Sequence, residues 1–329
     1  MPQNAWKLDN TPVARDNEIL CTVDVLNIDS ASFKQIADAC DGDEARIAEH
    51  VFGIVRERGK QHNPVTGSGG MFIGNVEAIG KDLCEQVDLR EGQRIASLVS
   101  LTLTPLHIES IARVCVQTGR IWIRGKAILF ASGLWALLPT DIDENVALAV
   151  LDVAGAPAQV ARLCKAGDTV VVIGADGKSG MLACASAKAL VGERGRVIGV
   201  APSDRSAAAR LLIEHNFVDT FLVADARDTL ALSEKLAAIA PELADLTINC
   251  VNVPETELAS ILCTKDGGTV YFFSMSTSFT AAALGAEGVG RDVTMIVGNG
   301  YARGHAATAL QTLRDHPPIH AYFNDKYAH

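Results

Sequence analysis

Residues 169–180 read TVVVIGADGKSG, and this stretch decides the fold. The β-branched run from Thr169 to Ile173 predicts a strand, glycines follow at positions 174, 177 and 180, and the next run, MLACASAKALVG, predicts a helix. A strand, a glycine turn and a helix in this order are typical of a loop that holds a phosphate group. The letters GKS leave two alternatives, a P-loop and a dinucleotide-binding turn.

The P-loop alternative fails on spacing. It requires a glycine, four further residues and then Gly-Lys, and Val172 stands at the position of that first glycine, inside the predicted strand. In a dinucleotide-binding turn, Gly174 ends the strand, Gly177 lets the backbone approach a pyrophosphate and Gly180 lets the helix pack closely on the strand. The predicted cofactor-binding residues of this turn are Gly174, Asp176, Gly177, Lys178, Ser179 and Gly180.

The sequence after the turn predicts a doubly wound parallel sheet. A strand at Val197 to Val200, a helix at Ser206 to His215 and a strand at Thr220 to Val223 continue the alternation of strands with helices. Three further apolar runs predict more strands, at 245–251, 267–275 and 293–300. We therefore expect an α/β Rossmann domain over residues 151–300. A nucleotide-free α/β domain, in which the glycines only turn the chain, is the alternative.

The first 150 residues have a different pattern and predict a separate β-rich domain. Apolar and polar residues alternate from Asn17 to Asp29, as in a half-buried antiparallel strand, and short strand-like runs with glycines between them follow. Residues 32–59 interrupt these runs and predict two amphipathic helices around DGD. The C-terminal segment, about 301–329, is a candidate to return to this domain.

Composition sets the broad class. The chain has 329 residues, 48% of them hydrophobic and 21% charged, which suits a globular protein of about two domains. The chain has no apolar run of membrane-spanning length and no signal segment at its start, so we expect a cytoplasmic protein without a membrane partner. A net charge of −10 argues against a nucleic-acid partner and favours a cationic substrate. Eight cysteines without a C-x-x-C pair are expected to be buried thiols.

Three motifs carry a resemblance to the medium-chain dehydrogenase/reductase superfamily. They are GNVEAIG (Gly74 to Gly80), EGQRIA (Glu91 to Ala96) and the cofactor loop KAGDTVVVIGADGKSG, in that order and spacing. The resemblance implies a GroES-like barrel domain at 1–150 followed by the Rossmann domain.

Three longer blocks are similar to one family within it, the L-erythro-3,5-diaminohexanoate dehydrogenases of lysine fermentation. They are LNIDSASF (Leu26 to Phe33), GKQHNPVTGSGGMFIGNVEAIG (Gly59 to Gly80) and LDVAGAPAQV (Leu151 to Val160). This resemblance implies reversible oxidative deamination of a small diamino acid to 5-amino-3-oxohexanoate and ammonia, with NAD or NADP as hydride acceptor.

The zinc ligands of the superfamily are not matched. Alignment on Gly74 places Gly70 and Met71 where a His-Glu pair stands in zinc-dependent members, and Asp29 near their cysteine ligand. Because glycine and methionine do not ligate zinc usefully, we predict no catalytic metal.

Asp29 is the first catalytic candidate. A carboxylate at this position holds the substrate ammonium and stabilises an iminium, with Ser30 as its hydrogen-bonding neighbour. The alternative is an Asp that only caps a strand end or a turn.

The loop after residue 61 supplies the next candidates. His62 titrates near neutrality and is predicted to act as acid and base, while the glycine-rich backbone around Asn63, Thr66 and Ser68 is suited to hold a carboxylate. A solvated surface loop is the alternative. Asp152 is a candidate second carboxylate, and the lesser candidates are His107 and Glu109.

The choice of coenzyme depends on the end of the second Rossmann strand. NAD enzymes usually carry an acid there, and this chain has Ala201 and Pro202. The missing acid favours NADP, with Ser203 and Arg205 holding the 2′-phosphate. Asp204 is an acid close to this position, so NAD stays the alternative coenzyme.

Two alternative functions and a homodimer are also expected from the sequence. The same fold without zinc serves quinone or enone reductases, and a non-catalytic NADPH-binding protein is the alternative from another class. The predicted strand near Val293 to Gly300 is expected to pair with its copy in a homodimer.

Overall fold

The computed structural model describes residues 5–65, 67–274, 276–298 and 300–328. The chain divides into two compact units, Met1–Leu148 and Ala149–His329.

The first unit is built on antiparallel strands. Its elements are β1 (Glu18–Asn27), α1 (Ser30–Ala39), α2 (Glu44–Arg58), β2 (Met71–Ile79), β3 (Arg94–Ser97), β4 (Leu106–Cys115), β5 (Arg120–Phe130), β6 (Trp135–Leu137) and α3 (Glu144–Leu151), which reaches the division. Within the described residues the strands form a six-stranded sheet in the order β4-β5-β1-β2-β3-β6. The antiparallel sheet and the two inserted helices confirm the prediction for this part of the chain.

Strand β1 lies at the centre of this sheet, between β5 and β2. Eight of its ten residues are buried, and only Thr22 and Asp24 are partly exposed. The expected half-burial is therefore wrong: β1 is largely buried on both faces, and its own alternation does not reveal this. Its apolar residues Ile19, Val23 and Leu26 join a core that also includes Val51 of α2.

A bulge in β1 places an acidic side chain beside the partly buried Arg94. The register between β1 and β2 shifts between Val23 and Val25, so Asp24 is the extra residue of this strand pair. Its carboxylate accepts from Arg94 Nη1 at 2.6 Å, and Arg94 also donates through Nε and Nη2 to both oxygens of Glu144. One guanidinium thus joins β1, β3 and the start of α3.

Replacing Arg94 with Lys is expected to destabilise the protein by about 1 kcal/mol, because lysine cannot make the two parallel bonds to Glu144. The side chain is one-third exposed, so solvent screening keeps the loss moderate. Urea unfolding measures it. Arg124→Lys is the matched control, since Arg124 pairs with Glu109 while 79% exposed. An equal loss in both variants would contradict the structural role of Arg94.

The second unit is a parallel sheet with helices between its strands. Its elements are α4 (Gly155–Leu163), β7 (Thr169–Ile173), α5 (Lys178–Val191), β8 (Arg196–Ala201), α6 (Ala207–Glu214), β9 (Thr220–Val223), α7 (Thr229–Ile239), β10 (Ala244–Asn249), α8 (Glu257–Leu262), β11 (Thr264–Phe272), α9 (Phe279–Val289), β12 (Thr294–Val297), α10 (His305–Asp315) and α11 (Pro317–Tyr327).

All the neighbouring strand pairs of this sheet run parallel, in the order β12-β11-β10-β7-β8-β9. The doubly wound Rossmann fold is thereby confirmed. The strand order reverses between β7 and β10, and ligands of such sheets bind outside the carboxyl ends of the strands at this switch point. The loops after β7, β8 and β10 are therefore the ones that can form a dinucleotide site.

The C-terminal segment stays in the second unit. Helix α10 packs on α4 and α5, and α11 packs on α10 and α6. The division places residues 301–329 in the second unit, and their return to the β-rich domain stays a prediction. Leu313 and Phe323 are buried, so α10 and α11 each have an apolar side that is covered by the protein.

The helices are short in relation to a membrane. No single helix in the described ranges has the length and apolar composition to cross one, and one bent pair, α3 with α4, has both only when taken together.

Candidate functional site

The glycine turn after β7 has the geometry that the sequence predicted. Gly174 takes a positive φ of 82°, and a Cβ at Gly180 would lie 2.1 Å from the Gly174 carbonyl oxygen. Gly174 is thus required by the turn and Gly180 by the close packing of α5 on β7. A Cβ at Gly177 would meet only the Gly174 oxygen, at an ordinary 3.5 Å. No described protein group therefore demands glycine at position 177.

This turn ends at the amino end of helix α5. The helix begins at Lys178 after Gly177, has no side-chain cap and carries no acidic residue in its first turn. Its first N–H groups therefore lack intrahelical partners, and the positive end of the helix dipole lies at the switch point. The open space at Gly177 and these N–H groups fit the pyrophosphate of a dinucleotide.

Lys178 forms an ion pair with Asp152, which the sequence analysis predicted to be a catalytic carboxylate. Its Nζ donates to Asp152 Oδ2 at 2.6 Å, and both side chains are mostly buried. The ammonium also lies 5.9 Å from the centre of the Tyr327 ring, on the last helix. A cation at a helix start is unfavourable, and Asp152 offsets its charge. Asp152 thus contacts the cofactor turn, and its catalytic role stays a prediction.

Ser179 is turned into the protein toward the loop after β10. It is buried and hydrogen-bonds Cys250, whose pKa burial raises to about 12. Just before this thiol, buried Asn249 donates to Thr256 Oγ1 and Ser260 Oγ, both at 2.9 Å, and fixes the loop. The sequence reasoning did not single out Asn249, although an amide that ends an apolar strand is a signal of such a role.

The loop after β8 contains the residues expected to choose the coenzyme. Ser203 Oγ accepts from the Arg205 backbone N–H at 3.0 Å, and Asp204 and Arg205 are exposed. Asp176 reaches this loop from the glycine turn, because its Oδ2 accepts from Ser206 Oγ at 3.2 Å. The predicted cofactor residues after β7 and β8 are thus brought together around this contact.

In the first unit, Asp29 is the N-cap of α1. Its Oδ1 accepts from the Ser32 backbone N–H at 3.0 Å, and its Oδ2 accepts from Ser68 Oγ at 2.5 Å. Ser68 Oγ also lies 2.7 Å from Ser32 Oγ. The cap alternative therefore describes the geometry, and Ser68 is a second donor. The neighbouring Ser30 is exposed at the first helical position.

Asn63 ties the following loop to the same helix. Its side chain is fully buried, and its Nδ2 donates to Gln35 Oε1 at 2.8 Å and to the Ser32 carbonyl at 3.3 Å. Its backbone N–H donates to the Ser68 carbonyl at 2.9 Å. Asp29, Asn63 and Ser68 are thus brought together through Ser32. The sequence reasoning missed Ser32 and Gln35, and Thr66 lies outside the described residues.

His62 lies beside positive charges. Its Nδ1 is buried and has no hydrogen-bond partner in the described part of the chain. Burial, together with the nearby Arg58 and Lys60, lowers the pKa of His62 below its ordinary value. The ring is therefore neutral near pH 7 and can accept a proton. No contact between this ring and Asp29 or Ser68 is observed.

The lowered pKa of His62 predicts a pH effect on stability. A depressed folded-state pKa favours the neutral ring in the folded protein, so its stability is fully present above about pH 6.5 and falls as the pH drops below that value. His62→Gln should reduce this acid destabilisation, measured as urea midpoints between about pH 7.5 and pH 5. Exposed His50 on α2 serves as the control substitution. An unchanged pH dependence in His62→Gln would contradict the effect.

The lesser candidates lie on an edge strand that the sequence did not predict. His107 and Glu109 are on β4, where Glu109 pairs with Arg124. Among the described residues, no group of three or more His, Cys, Asp or Glu side chains is placed to hold a metal ion. Of the eight cysteines, all free, those at 21, 40, 184 and 263 are buried and Cys84 is exposed.

Several solved structures share this fold at low sequence identity. The JamJ enoyl reductase matches with a TM-score of 0.57 at 12% identity, over 97% of this chain and 83% of that chain. A quinone oxidoreductase from Coxiella burnetii matches with a TM-score of 0.55 at 16% identity, over 97% and 83%. A mycobacterial structure complexed with NADPH has a TM-score of 0.55 at 14% identity, over 97% and 84%. At these identities the likenesses show the fold alone, an antiparallel-sheet unit followed by a parallel-sheet unit, which this chain shares with enoyl reductases and quinone oxidoreductases.

Relatives of much higher sequence identity show the family to which the chain belongs. The L-erythro-3,5-diaminohexanoate dehydrogenase of Acetoanaerobium sticklandii is 52% identical over 99% of this chain and 95% of its own length. That of Fusobacterium nucleatum is 50% identical over 99% and 94%. The family model of the N-terminal domain of these enzymes matches residues 1–139. The chain belongs to the L-erythro-3,5-diaminohexanoate dehydrogenase family.

Proposed function

We propose that the chain catalyses the NAD(P)-dependent oxidative deamination of L-erythro-3,5-diaminohexanoate, with water, to 5-amino-3-oxohexanoate and ammonia. One observation carries this proposal: the chain is 52% and 50% identical in sequence to two enzymes of that name, along nearly their whole length. The substrate is a small cation-bearing amino acid, which suits an acidic chain with a carboxylate in its candidate site. A cytoplasmic location is part of the proposal, because the chain would draw on the nicotinamide and amino-acid pools found there.

The nicotinamide, when bound, takes a hydride from the carbon that carries the amino group. The first N–H groups of α5 and the space at Gly177 would hold the pyrophosphate of the cofactor. Gly174 and Gly180 keep the turn and α5 close enough for that contact.

Asp29 supplies the charge that the substrate needs. Two donors, the Ser32 N–H and Ser68 Oγ, occupy one site on each carboxylate oxygen, and an ionised carboxylate can accept about four hydrogen bonds. The remaining acceptor sites hold the substrate ammonium and then stabilise the positive iminium that forms when the hydride leaves. Ser68 and Ser32 keep the carboxylate in place, because both are fixed by the loop around Asn63.

His62 is proposed as the acid and base. Oxidation of an amine requires a neutral nitrogen, so a proton must leave the ammonium before the hydride does. A neutral imidazole accepts it, and the lowered pKa keeps His62 neutral at physiological pH. The same group returns a proton to the leaving ammonia after water has attacked the iminium.

Reduction of NAD and of NADP is the test, followed by the absorbance of the reduced nicotinamide, with 3,5-diaminohexanoate and with a panel of simple alcohols. The assay is run with and without a chelator. Turnover of the diamino acid that the chelator does not affect supports the deaminase. Turnover restricted to quinones or enones in the reductive direction would overturn the substrate assignment, and cofactor binding without turnover would favour a non-catalytic protein.

A homodimer through β12 is also proposed. This strand pairs with β11 on one side only among the described strands, and its residues are partly or fully exposed. The adjacent helix α9 exposes Phe279 and Leu284 to more than three-fifths of their surface. An unpaired edge strand beside exposed apolar side chains favours pairing with its copy. Light scattering after size exclusion measures the mass, and a monomer at micromolar concentration would reject the dimer.

A further inference from the structure

The adenosine half of a dinucleotide lies over the first three strands of a Rossmann sheet, outside their carboxyl ends. In this chain those strands are β7, β8 and β9, so the ribose of a bound dinucleotide would lie between the loop after β7 and the loop after β8. An acid that accepts hydrogen bonds from the ribose usually stands at the end of the second strand. The residues of these two loops therefore determine which coenzyme fits.

The loop after β8 offers no acid in the usual place. The strand ends at Ala201, which is buried, and Pro202 follows. Ser203 uses its hydroxyl oxygen within its own turn, as acceptor from the Arg205 N–H. Asp204 and Arg205 are exposed. The end of β8 itself thus supplies no carboxylate for the ribose hydroxyls, and the acid that follows, Asp204, stands three residues further along the loop.

A carboxylate reaches this position from the other loop. Asp176 Oδ2 accepts from Ser206 Oγ at 3.2 Å, and Ser206 Oγ in turn accepts from the Ala209 N–H at 3.1 Å as the cap of α6. Asp176 is half-buried. Its second oxygen, Oδ1, accepts no hydrogen bond from the residues that the structure describes. The carboxylate is thus held between the two loops with one oxygen open.

We propose that Asp176 reads the adenosine ribose in place of the missing acid of β8 and makes the chain prefer NAD to NADP. Oδ1 accepts from the ribose hydroxyls of NAD. The 2′-phosphate of NADP brings negative charge to the same point, where a carboxylate repels it and offers it no donor. Ser206 positions the carboxylate and does not itself discriminate. The inference rests on the proposed nicotinamide-dependent function.

The experiment measures binding without any substrate. Dissociation constants of NADH and NADPH are obtained from nicotinamide fluorescence for the unmodified chain and for the variants Asp176→Asn, Ser206→Ala, Asp204→Asn and Arg205→Ala. Asn keeps an oxygen for the bond from Ser206, so the loop is retained while the charge is removed. The thermal midpoint of each free protein checks the fold. Because no turnover is required, failure of this inference is distinguishable from failure of the deaminase assignment.

The unmodified chain is expected to bind NADH at least about tenfold more tightly than NADPH. Asp176→Asn should lose most of that ratio, through weaker NADH binding and tighter NADPH binding, with an unchanged thermal midpoint. Ser206→Ala should weaken the ratio less than Asp176→Asn does. The proposal is overturned if Asp176→Asn weakens the binding of NADH and NADPH equally, or if Asp204→Asn changes the ratio of the two dissociation constants in its place. It is also overturned if the unmodified chain binds NADPH more tightly than NADH and Arg205→Ala abolishes that preference.

Discussion

Replacing Asp29 with Asn lowers kcat for the proposed oxidation of 3,5-diaminohexanoate by about a hundred- to a thousand-fold, the usual effect of removing one group that stabilises charge in a transition state. The physical reason is the loss of the charge that faces the iminium. The asparagine keeps the side-chain oxygen that caps α1 by accepting from the Ser32 N–H. Steady-state kinetics with saturating cofactor measure the loss.

The fold of this variant should be preserved, because Asn and Asp are nearly equal as helix caps. Asp43→Asn is the matched control. Asp43 caps α2 in the same way, accepting from the Arg46 N–H at 2.9 Å, and it is exposed and has no role in the proposed chemistry. The control should leave kcat unchanged, and the thermal midpoints of both variants should agree within a few degrees.

Two results would reject the role of Asp29. Unchanged turnover in Asp29→Asn would mean that the residue is only a cap. A fall in turnover that is accompanied by a clear fall in the thermal midpoint of Asp29→Asn would mean that the loss is structural. Ser68→Ala extends the test, because it removes the donor at 2.5 Å while keeping the charge, and is expected to cost less than removal of the charge itself.

The parts of the fold that the sequence predicts correctly depend on neighbours in the chain. The glycine turn is an example: Gly174 needs its positive φ because of the turn, and Gly180 lies against the Gly174 carbonyl six residues earlier. Helix α6 is another, since Ser206, directly before its first residue, caps it by accepting from the Ala209 N–H. Short-range spacing carries this information, so strand, turn and helix could be predicted together.

The parts that the sequence does not predict depend on partners that are far apart in the chain. Strand β1 is largely buried on both faces, and its residues Ile19, Val23 and Leu26 share a core with residues far along the chain, such as Leu106, which its alternation does not show. The Asp29–Ser68 bond spans 39 residues and the Lys178–Asp152 pair spans 26. The sequence identified each of these four residues, but only the fold shows which of them meet. Ser32, which joins Asp29 to the loop of Asn63, was missed for the same reason.

Two of the three glycines of the cofactor turn, Gly177 and Gly180, are expected to differ in what alanine changes: cofactor binding at the first and stability at the second. Gly177→Ala should weaken NADH binding by about tenfold or more, since a methyl group at the helix start separates the backbone from the pyrophosphate. Its stability should fall by less than about 1 kcal/mol, because φ is −84° and the nearest described atom is 3.5 Å from the new Cβ.

Gly180→Ala should instead destabilise the second unit by about 3 kcal/mol. Its Cβ would lie 2.1 Å from the Gly174 oxygen and 2.7 Å from the Ala175 Cα, which are backbone atoms that cannot rotate away. Urea unfolding and NADH fluorescence separate the two effects. Gly288→Ala, in the interior of α9 with nothing within 4 Å, is the control and should leave NADH binding unchanged.

The contrast between the variants is what tests the cofactor site. A methyl group at position 177 meets no described protein atom closely, so a specific loss of affinity there requires a ligand that occupies the space. If Gly177→Ala bound NADH as the unmodified chain does, the pyrophosphate would not lie at the start of α5, and the inferred place of Asp176 beside the ribose would fail with it. If Gly180→Ala were as stable as Gly288→Ala, the close packing of α5 on the turn would be wrong.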